Sequence, residues 1–299
     1  MSDESKTPRL PPDNPGSSGK KKEAKASPGK PRTKSDDILI SADEAVEILS
    51  GWREDCRVAG GFLTCLPFFK GEGEKPKKGV LAASMRAFPL IGAGLGIAAA
   101  LVLAVAIWLG LPLMLAGCLA VGALILMTGG LHEDALADFA DSLGGHDKKS
   151  RLAIMADTQT GTFGVLALVF SVGLRVLALA SFSAADSAAA ALIAAASASR
   201  CAPLVMAWAM KPAKKSGQGA LTGQPKEDRL YAGVGLGAAL ALLFLGPVGG
   251  ILALLCGALA GLGLAYYAKK TLGGYTGDVM GSAQQVCEIA ILLAASALL

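Results

Sequence analysis

The chain has 299 residues, of which 53% are hydrophobic and 17% charged, and its formal net charge is +4 at pH 7. Soluble domains carry about a quarter charged residues, so this composition excludes an ordinary soluble protein and predicts an integral membrane protein. The basic residues concentrate in the N-terminal segment and in loops, where membrane topology accounts for them. The charge therefore gives no reason to expect a nucleic-acid partner.

The first predicted region is residues 1–37. It is rich in Pro, Lys, Ser and Gly and lacks apolar periodicity, so it cannot bury enough apolar surface to fold by itself. We expect a disordered, basic leader. It is not expected to be a signal peptide, because no apolar segment follows its charges.

The second predicted region is residues 38–87. It opens with Ser41 and Glu44, which are spaced as in a capping box. Apolar residues then recur at helical intervals, namely Val46, Ile48, Leu49 and Trp52. This pattern predicts an amphipathic helix at the membrane surface.

The third predicted region, residues 88–299, contains apolar runs long enough to cross a bilayer, which takes about 20 residues per helix. Seven spans are predicted, at 88–109, 111–131, 162–182, 186–210, 230–246, 248–268 and 279–299. The long run from 230 to 268 is divided where Pro247 and its neighbouring glycines break a helix. The predicted fold class is an all-α, polytopic membrane protein.

Every second connection between these spans is basic. The residues concerned are Lys75, Lys77, Lys78, Arg86, Lys148, Lys149, Arg151, Lys211, Lys214, Lys215, Lys226, Arg229, Lys269 and Lys270. The other connections are short and almost uncharged. By the positive-inside rule, the N-terminus and the long loops are expected on the cytoplasmic side.

Acidic residues cluster at the cytoplasmic end of the second span. Asp134, Asp138 and Asp141 follow i, i+4, i+7 spacing, which stacks three carboxylates on one face of a helix. Like charges repel, so either water screens them or a cation binds them. Mg²⁺ is the cation expected, because it commonly takes one or two carboxylates and shares its shell with water and substrate phosphates.

The alternative is that these acids form the wet face of an interfacial helix. Against it, Gly129 and Gly130 precede the acids and allow close approach of the backbone. The segment also leads through Asp157 to Gly161 and Thr162, at the entry to the next span. Acids, glycines and hydroxyl groups together favour a site for a metal and a phosphate.

Four further charged residues are candidates for binding substrate. Arg175 and Arg200 lie within predicted spans, where a cation marks a polar cavity or an ion pair. Arg can bind a phosphate with two hydrogen bonds, and a structural pair with Asp186 or Glu288 is the equal alternative. Near the C-terminus, Asp278 at a span entrance and Glu288 within it predict a second acidic site on the same side.

At these residues the sequence resembles a known family, the adenosylcobinamide-GDP ribazoletransferases, also called cobalamin-5'-phosphate synthases. The resemblance runs from about residue 55 to the end and rests on several motifs in order. These are FLTCLPF at 62–68, MRAFPLIGAGLG at 85–96, TGGLHEDALADFADSLGG at 128–145, IMADTQTGTFGVLALV at 154–169 and LGGYTGDVMGS at 272–282.

The sequence departs from the family pattern at five positions. Ala135 and Ser142 stand where glycine is expected, and Ala156 stands where lysine is expected. Gln284 and Gln285 stand where Asn and Glu are expected. These differences concern phosphate binding and the second acidic site, whereas all the aspartates of the pattern are present.

The resemblance implies a membrane enzyme that joins adenosylcobinamide-GDP to α-ribazole, or to its 5'-phosphate, with release of GMP. It implies Mg²⁺ held by the aspartates, with Asp134, Asp138 or His132 as catalytic residues, one of them accepting the hydroxyl proton. The predicted metal ligands are Asp134, Asp138, Asp141 and Asp157. The predicted substrate-binding residues are Gly129, Gly130, Gly161, Thr162, Arg175, Arg200, Asp278 and Glu288. The protein is expected in the bacterial inner membrane, in contact with the lipid bilayer, with a homo-oligomer as the default state.

Two rival functions remain. A CDP-alcohol phosphotransferase would also place aspartates on membrane helices, but its pattern requires an Arg directly after Ala137, where Asp138 stands. A secondary transporter would use Asp134, Arg175 and Glu288 as an ion relay near the middle of the bilayer. The clustering of the acids on one side disfavours the transporter.

Overall fold

The computed structural model describes residues 42–69, 79–215 and 217–298. This part of the chain is α-helical apart from short 3₁₀ turns and one isolated bridge between Pro212 and Tyr275, which confirms the predicted class. The predicted leader and Ser41 lie outside the described residues. By its internal contacts the chain divides between Ala45 and Val46, and the packing described below concerns the residues from Val46 onward.

Twelve α-helices make up the described part. They are α1 Ala42–Leu63, α2 Val80–Ser84, α3 Phe88–Trp108, α4 Leu113–Thr128, α5 Leu131–Asp141, α6 Lys148–Ile154, α7 Thr162–Ala180, α8 Ala185–Ala198, α9 Cys201–Ala209, α10 Gln218–Thr222, α11 Glu227–Leu272 and α12 Gly277–Leu298.

The membrane-spanning character predicted from composition is confirmed. Among the described residues, five helical stretches are long and apolar enough to cross a bilayer, and the bent pair of α4 and α5 makes a sixth if it is counted as one span. Helices α8 and α9 together form one of the five, interrupted at Ser199 and Arg200. The predicted number of seven is therefore approximate, and it depends on how α11 is counted.

Helix α11 has 46 residues, yet it is two helices joined by a sharp turn. Gly246 has φ 71° and ψ 172°, outside the helical region, and Pro247 lacks the N–H that a continuous helix would use. Gly250 packs directly against Ala241 and Leu242. In a straight helix positions 242 and 250 would lie about 12 Å apart, so the chain reverses here, as the predicted division at Pro247 requires.

Small residues let the central helices approach closely. Gly92 and Gly96 on α3 face Ile193 and Ala196 on the Ala-rich helix α8, and a Cβ atom at either glycine would overlap the backbone of α8. Such small-residue contacts are a common way to pack helices in membranes, where apolar side chains gain little from leaving lipid. They give the bundle a tightly packed centre of α3, α8 and α12.

Helix α1 is held to the bundle by charged contacts. Asp55 accepts hydrogen bonds from Arg86 at 2.6 Å and Arg229 at 2.7 Å, and the Arg86 guanidinium lies 4.3 Å from the centre of the Trp52 ring. Val46, Ile48 and Leu49 remain exposed. An exposed apolar stripe on an anchored helix agrees with the predicted amphipathic character, while its contact with the membrane surface stays a prediction.

Candidate functional site

Two consecutive glycines set the direction of the acidic helix α5. Gly129 has φ 64° and Gly130 has φ 70°, left-handed values that other residues adopt only at a cost. The turn bends α5 by 89° away from α4. Helix α5 therefore packs against α7 and α12. The structure shows a conformational role for the two glycines, and their predicted role in substrate binding stays a prediction.

The site is a cavity between α5, the start of α12, the end of α1, the short helix α2 and the start of α3. Its walls carry the polar side chains of His132, Asp134 and Asp278 and an apolar surface formed chiefly by Phe62, Leu63, Leu81, Met85 and Phe88. The apolar wall was missed by the sequence analysis, because it comes from helices far from the acids in the chain. An apolar wall with a few convergent polar groups is typical of a small-molecule site.

The predicted carboxylates converge at this cavity from two helices. Asp134 and Asp278 both line it, and the charge of half-buried Asp138 interacts with those of Asp134, Asp278 and Asp141. Within the described residues, neither Asp134, Asp138 nor Asp278 forms an ion pair shorter than 4.0 Å. The geometry brings acids that are distant in sequence to one cavity, and among the described residues none of these three carboxylates has an ion-pair partner within 4.0 Å.

Close packing of α5 against α12 fixes the distance between these acids. Gly281 lies against Ala135, so that a Cβ atom at position 281 would overlap the Ala135 methyl group. The Ser282 hydroxyl donates to the carbonyl of Ala135 at 3.0 Å. At the start of α12, the Thr276 hydroxyl donates to the Asp278 carboxylate at 3.1 Å. Asp134 and Asp278 thus line one cavity beside a close contact between α5 and α12.

Asp141 has a different environment from its neighbours on α5. Its carboxylate accepts the backbone N–H groups of Gly161 at 2.6 Å and Gly164 at 2.8 Å, and a Cβ atom at either glycine would crowd the carboxylate. Asp141 therefore caps the N-terminus of α7 from another helix, where a negative charge is stabilised. Thr162, the next predicted residue, is exposed.

Two acids after α5, Asp147 and Asp157, also accept hydrogen bonds from backbone N–H groups. Exposed Asp157 accepts the N–H of Gln159 at 3.2 Å, and it does not line the cavity. Asp147 caps α6, and its hydrogen bonds from the backbone and the hydroxyl of Ser150 lower the pKa of Asp147. The predicted metal-binding role of Asp157 stays a prediction that the geometry does not support.

The other predicted charges lie deeper, in a buried ionic network. Arg175 donates to Glu133 at 2.9 Å and to Glu288 at 3.3 Å, and Arg200 lies 4.0 Å from Glu288. All four side chains are buried. Arg175 lies about 20 Å along α7 and Glu288 about 16 Å along α12 from the first residues of these helices. Two arginines and two glutamates balance in charge.

Amide and hydroxyl groups complete this network. Gln284 donates to Glu288 at 2.5 Å, and Gln285 donates to Glu133 at 3.1 Å and accepts from Ser171 at 2.9 Å. Gln285 stands where the family pattern has Glu, and an acid there would add a third negative charge to two arginines. The neutral glutamine keeps the network balanced, which gives this departure a physical reason.

The network favours the structural alternative for Arg175 and Arg200, and their predicted role in phosphate binding stays a prediction. Of the two structural partners considered, Glu288 is the one observed, whereas Asp186 binds only the backbone N–H of Ser187. Glu133 was missed as a partner. Its position one residue before Asp134 turns it to another face of α5, since successive helical residues point about 100° apart, and this was the available signal.

A preformed metal cage is not observed: in the part of the chain that the structure describes, no three His, Cys, Asp or Glu side chains are arranged to hold a metal ion. Mg²⁺ needs no such cage, because it keeps several waters and binds through one or two carboxylates and substrate phosphates. The carboxylates of Asp134 and Asp278, which line one cavity and have no ion-pair partner within 4.0 Å among the described residues, fit that requirement.

Comparison with known proteins was made on the whole chain. Residues 55–296 match the family model described as cobalamin-5-phosphate synthase. The chain belongs to this family. No solved structure matched the chain.

Curated relatives of the cobalamin-5-phosphate synthase family agree with this match. The chain is 41% identical to the adenosylcobinamide-GDP ribazoletransferase of Allorhizobium ampelinum over 82% of the chain and 96% of that relative. It is 39% identical to the protein of the same name from Bradyrhizobium diazoefficiens, over 81% and 93%. With the Azorhizobium caulinodans protein, also of that name, it shares 44% identity over 69% and 81%. The predicted resemblance is confirmed.

Proposed function

We propose that this cobalamin-5-phosphate synthase family member transfers the GDP-activated phosphate of adenosylcobinamide to α-ribazole, or to α-ribazole 5'-phosphate, and releases GMP. The observation that carries the proposal is the pair of carboxylates, Asp134 and Asp278, which line one partly apolar cavity and form no ion pair within 4.0 Å among the described residues. A diphosphate substrate brings its own negative charge, so such a site needs a bound cation.

The reaction forms one phosphorus–oxygen bond and breaks another. The ribazole hydroxyl oxygen attacks the phosphorus that stays with cobinamide, and the bond from that phosphorus to the GMP oxygen breaks, with the electron pair leaving on GMP. His132 or one of the carboxylates Asp134 and Asp138 accepts the hydroxyl proton. All three lie at or beside the cavity.

Asp134 and Asp278, with Asp138 beside them, are the residues that would hold Mg²⁺. When bound, the ion supplies positive charge that neutralises the diphosphate and the departing phosphate. The tight contact between Gly281 and Ala135 holds these carboxylates at a fixed separation, so the protein does not reorganise when charge develops. The apolar wall of Phe62, Met85 and Phe88 would exclude water from the reacting atoms.

The proposed setting is the bacterial inner membrane with the acidic end of the bundle in the cytoplasm. The basic residues that support this orientation include Lys148, Lys149, Lys214 and Lys215, and they lie at the same end as Asp278 and Asp141. Negatively charged, water-soluble substrates would then reach the cavity without crossing the bilayer.

The test is GMP release by purified protein in liposomes, given adenosylcobinamide-GDP and α-ribazole, with Mg²⁺ or with EDTA. We expect metal-dependent release, and we expect Asp134→Asn to lower turnover by about 100-fold or more, in line with the loss of a transition-state charge contact. Asp186→Asn is the matched control, since Asp186 is exposed in the first turn of α8 and does not line the cavity.

Equal thermal unfolding of both variants would show that the loss is chemical. Full turnover in EDTA, or full turnover of Asp134→Asn, would contradict the proposed mechanism. No GMP release from folded wild-type protein under any of these conditions would contradict the proposed activity itself.

A further inference from the structure

A second cavity adjoins the first at the start of α12. Its volume is about 210 Å³, and it is lined by Lys214, Gly217, Gly219, Ala220, Tyr275, Thr276, Gly277 and Asp278. The first cavity also includes Gly277 and Asp278. Asp278 therefore stands at the boundary of two cavities of different character, one with a large apolar wall and one with a lysine.

The backbone holds Lys214 at this boundary. Tyr275 donates its N–H to the Lys211 carbonyl at 3.1 Å and accepts the N–H of Ala213 at 2.8 Å. Gly274 allows this pairing, because a Cβ atom there would overlap the Lys211 carbonyl. The bridge ties the segment after α9 to the start of α12, and it places Lys214 directly after the last paired residue.

Lys214 is half-buried and weakly bonded by the protein. Its ammonium group donates to the Leu152 carbonyl at 3.4 Å, a long distance for a hydrogen bond, and its charge attracts Asp278. No ion pair shorter than 4.0 Å involves it among the described residues. The ammonium group thus keeps hydrogen-bonding capacity for a ligand.

The chemistry of this second cavity suits a phosphate. A lysine ammonium is a point charge with three donors, and the surrounding glycines leave room for an anion to approach the backbone. The first cavity, with its large apolar wall, suits an aromatic or apolar group instead. A phosphorus atom bound near Asp278 would lie where the two cavities meet.

We infer that the Lys214 cavity binds the phosphate of the departing nucleotide, so that GMP leaves on the Lys214 side and the acceptor enters on the apolar side. This inference rests on the proposed function for the identity of the nucleotide. Lys214 contacts the group on which negative charge develops as the bond breaks, so it stabilises that charge.

Binding of GMP to the folded protein tests the inference without requiring turnover. We would measure the GMP dissociation constant by equilibrium dialysis in a phosphate-free detergent, for wild type, Lys214→Ala, Lys214→Arg and Lys215→Ala. We expect Lys214→Ala to weaken binding about tenfold or more, as for loss of a hydrogen bond to a charged group. Lys215→Ala is the matched control, because Lys215 is exposed and lines neither cavity, and it should change binding by less than about twofold.

Two ligand comparisons add specificity. Guanosine, which lacks the phosphate, should bind wild type and Lys214→Ala with the same affinity, and Lys214→Arg should recover part of the GMP affinity. If Lys214→Ala binds GMP as well as Lys215→Ala does, the inference is wrong. It is also wrong if the substitution removes binding of phosphatidylglycerol and leaves GMP binding unchanged, because the cavity would then hold a lipid headgroup.

The inference and the proposed function can fail separately. If GMP binding depends on Lys214 but the protein shows no transfer activity, the inference about the Lys214 cavity is supported and the proposed transfer reaction is contradicted. If transfer is normal but GMP binding is independent of Lys214, the proposed activity is supported and the inference that the Lys214 cavity binds the nucleotide phosphate is contradicted. Thermal unfolding of each variant identifies any loss that comes from misfolding.

Discussion

The carboxylates of this protein fall into two groups that differ in what surrounds them. At the open end of the bundle, Asp134, Asp138 and Asp278 repel one another around a cavity. Deep within it, Glu133 and Glu288 are buried and paired with arginines. The two groups alternate along the same two helices, because α5 carries Glu133 beside Asp134, and α12 carries both Asp278 and Glu288.

The difference separates structural acids from those available to ligands. A buried charge must be paired and hydrogen-bonded, because leaving it alone in a low-dielectric interior is very unfavourable. An acid at an open cavity is solvated and needs no partner in the protein. A carboxylate group without a protein cation at such a cavity is therefore the better candidate for binding a metal or a substrate.

The largest expected effect comes from removing Glu288. Glu288→Ala leaves Arg175 and Arg200 with one glutamate between them, and breaking a buried pair in this way costs about 3–5 kcal/mol of folding free energy. We expect a large fall in the thermal unfolding temperature in detergent. Asp278→Asn, at the open end of the same helix, should leave that temperature nearly unchanged while lowering turnover.

Glu288→Gln is the control for shape, because it keeps the side chain's size and removes only the charge. The thermal unfolding temperature of Glu288→Gln should lie between those of wild type and Glu288→Ala. Should Glu288→Ala unfold at the wild-type temperature and lose turnover instead, Glu288 would belong with the ligand-binding acids, and the comparison between the two groups would be wrong.

An intermediate effect is expected at the contact between α5 and α12, the two helices that carry both groups of acids. Gly281→Ala forces a methyl group against Ala135, and overpacking of this kind costs about 1–3 kcal/mol. The contact sets the separation of Asp134 and Asp278. We therefore expect the loss of turnover, expressed as an increase in activation free energy, to exceed the loss in the free energy of unfolding. Both would be measured on the same preparations by GMP release and thermal unfolding.

Ala135→Gly supplies the matching half of a double-mutant cycle. It removes the methyl group that Gly281→Ala would meet, so the double variant should be as stable as Ala135→Gly alone, within about 0.5 kcal/mol. If the two losses of stability add in the double variant, overlap with the Ala135 methyl group is not the cause of the loss in Gly281→Ala.

The smallest effect is expected at Asp141, which belongs to neither group. Asp141→Ala removes the cap of α7, and loss of a cap costs about 1 kcal/mol. Asp147→Ala removes the equivalent cap from the short surface helix α6 and is the matched control. Turnover should remain within about tenfold of wild type if the 1 kcal/mol acts through stability alone.

A loss of turnover as large as that expected for Asp134→Asn, at nearly unchanged stability, would contradict this assignment. It would move Asp141 into the open-end group and restore the metal-binding role predicted from its helical spacing.

Much of the fold could be predicted because membrane helices are read from local composition. The bounds predicted for the first and last spans differ from α3 and α12 by at most two residues, and Pro247 marked the reversal within α11. The site was harder to predict. Helical spacing placed Asp134 and Asp138 together, but spacing alone did not distinguish Asp141, whose partners Gly161 and Gly164 belong to another helix.

Pairings between distant helices could not be predicted from local pattern. Arg175 finds Glu133 and Glu288 only because the left-handed turn at Gly129 and Gly130 redirects α5 toward α7 and α12. Lys214 was counted as a topology-determining residue, since nothing local to it shows that Tyr275 pairs with its segment. In both cases the missing information is which helix ends are neighbours.

The buried network also imposes an order on biosynthesis. Arg175 and Arg200 enter the membrane with Glu133 as the only acid of the network already made, and Glu288 follows Arg175 more than a hundred residues later. At ribosomal rates this delay is on the order of ten seconds. During that interval the network holds two arginines and one glutamate, so its charge is balanced only when α12 brings Glu288.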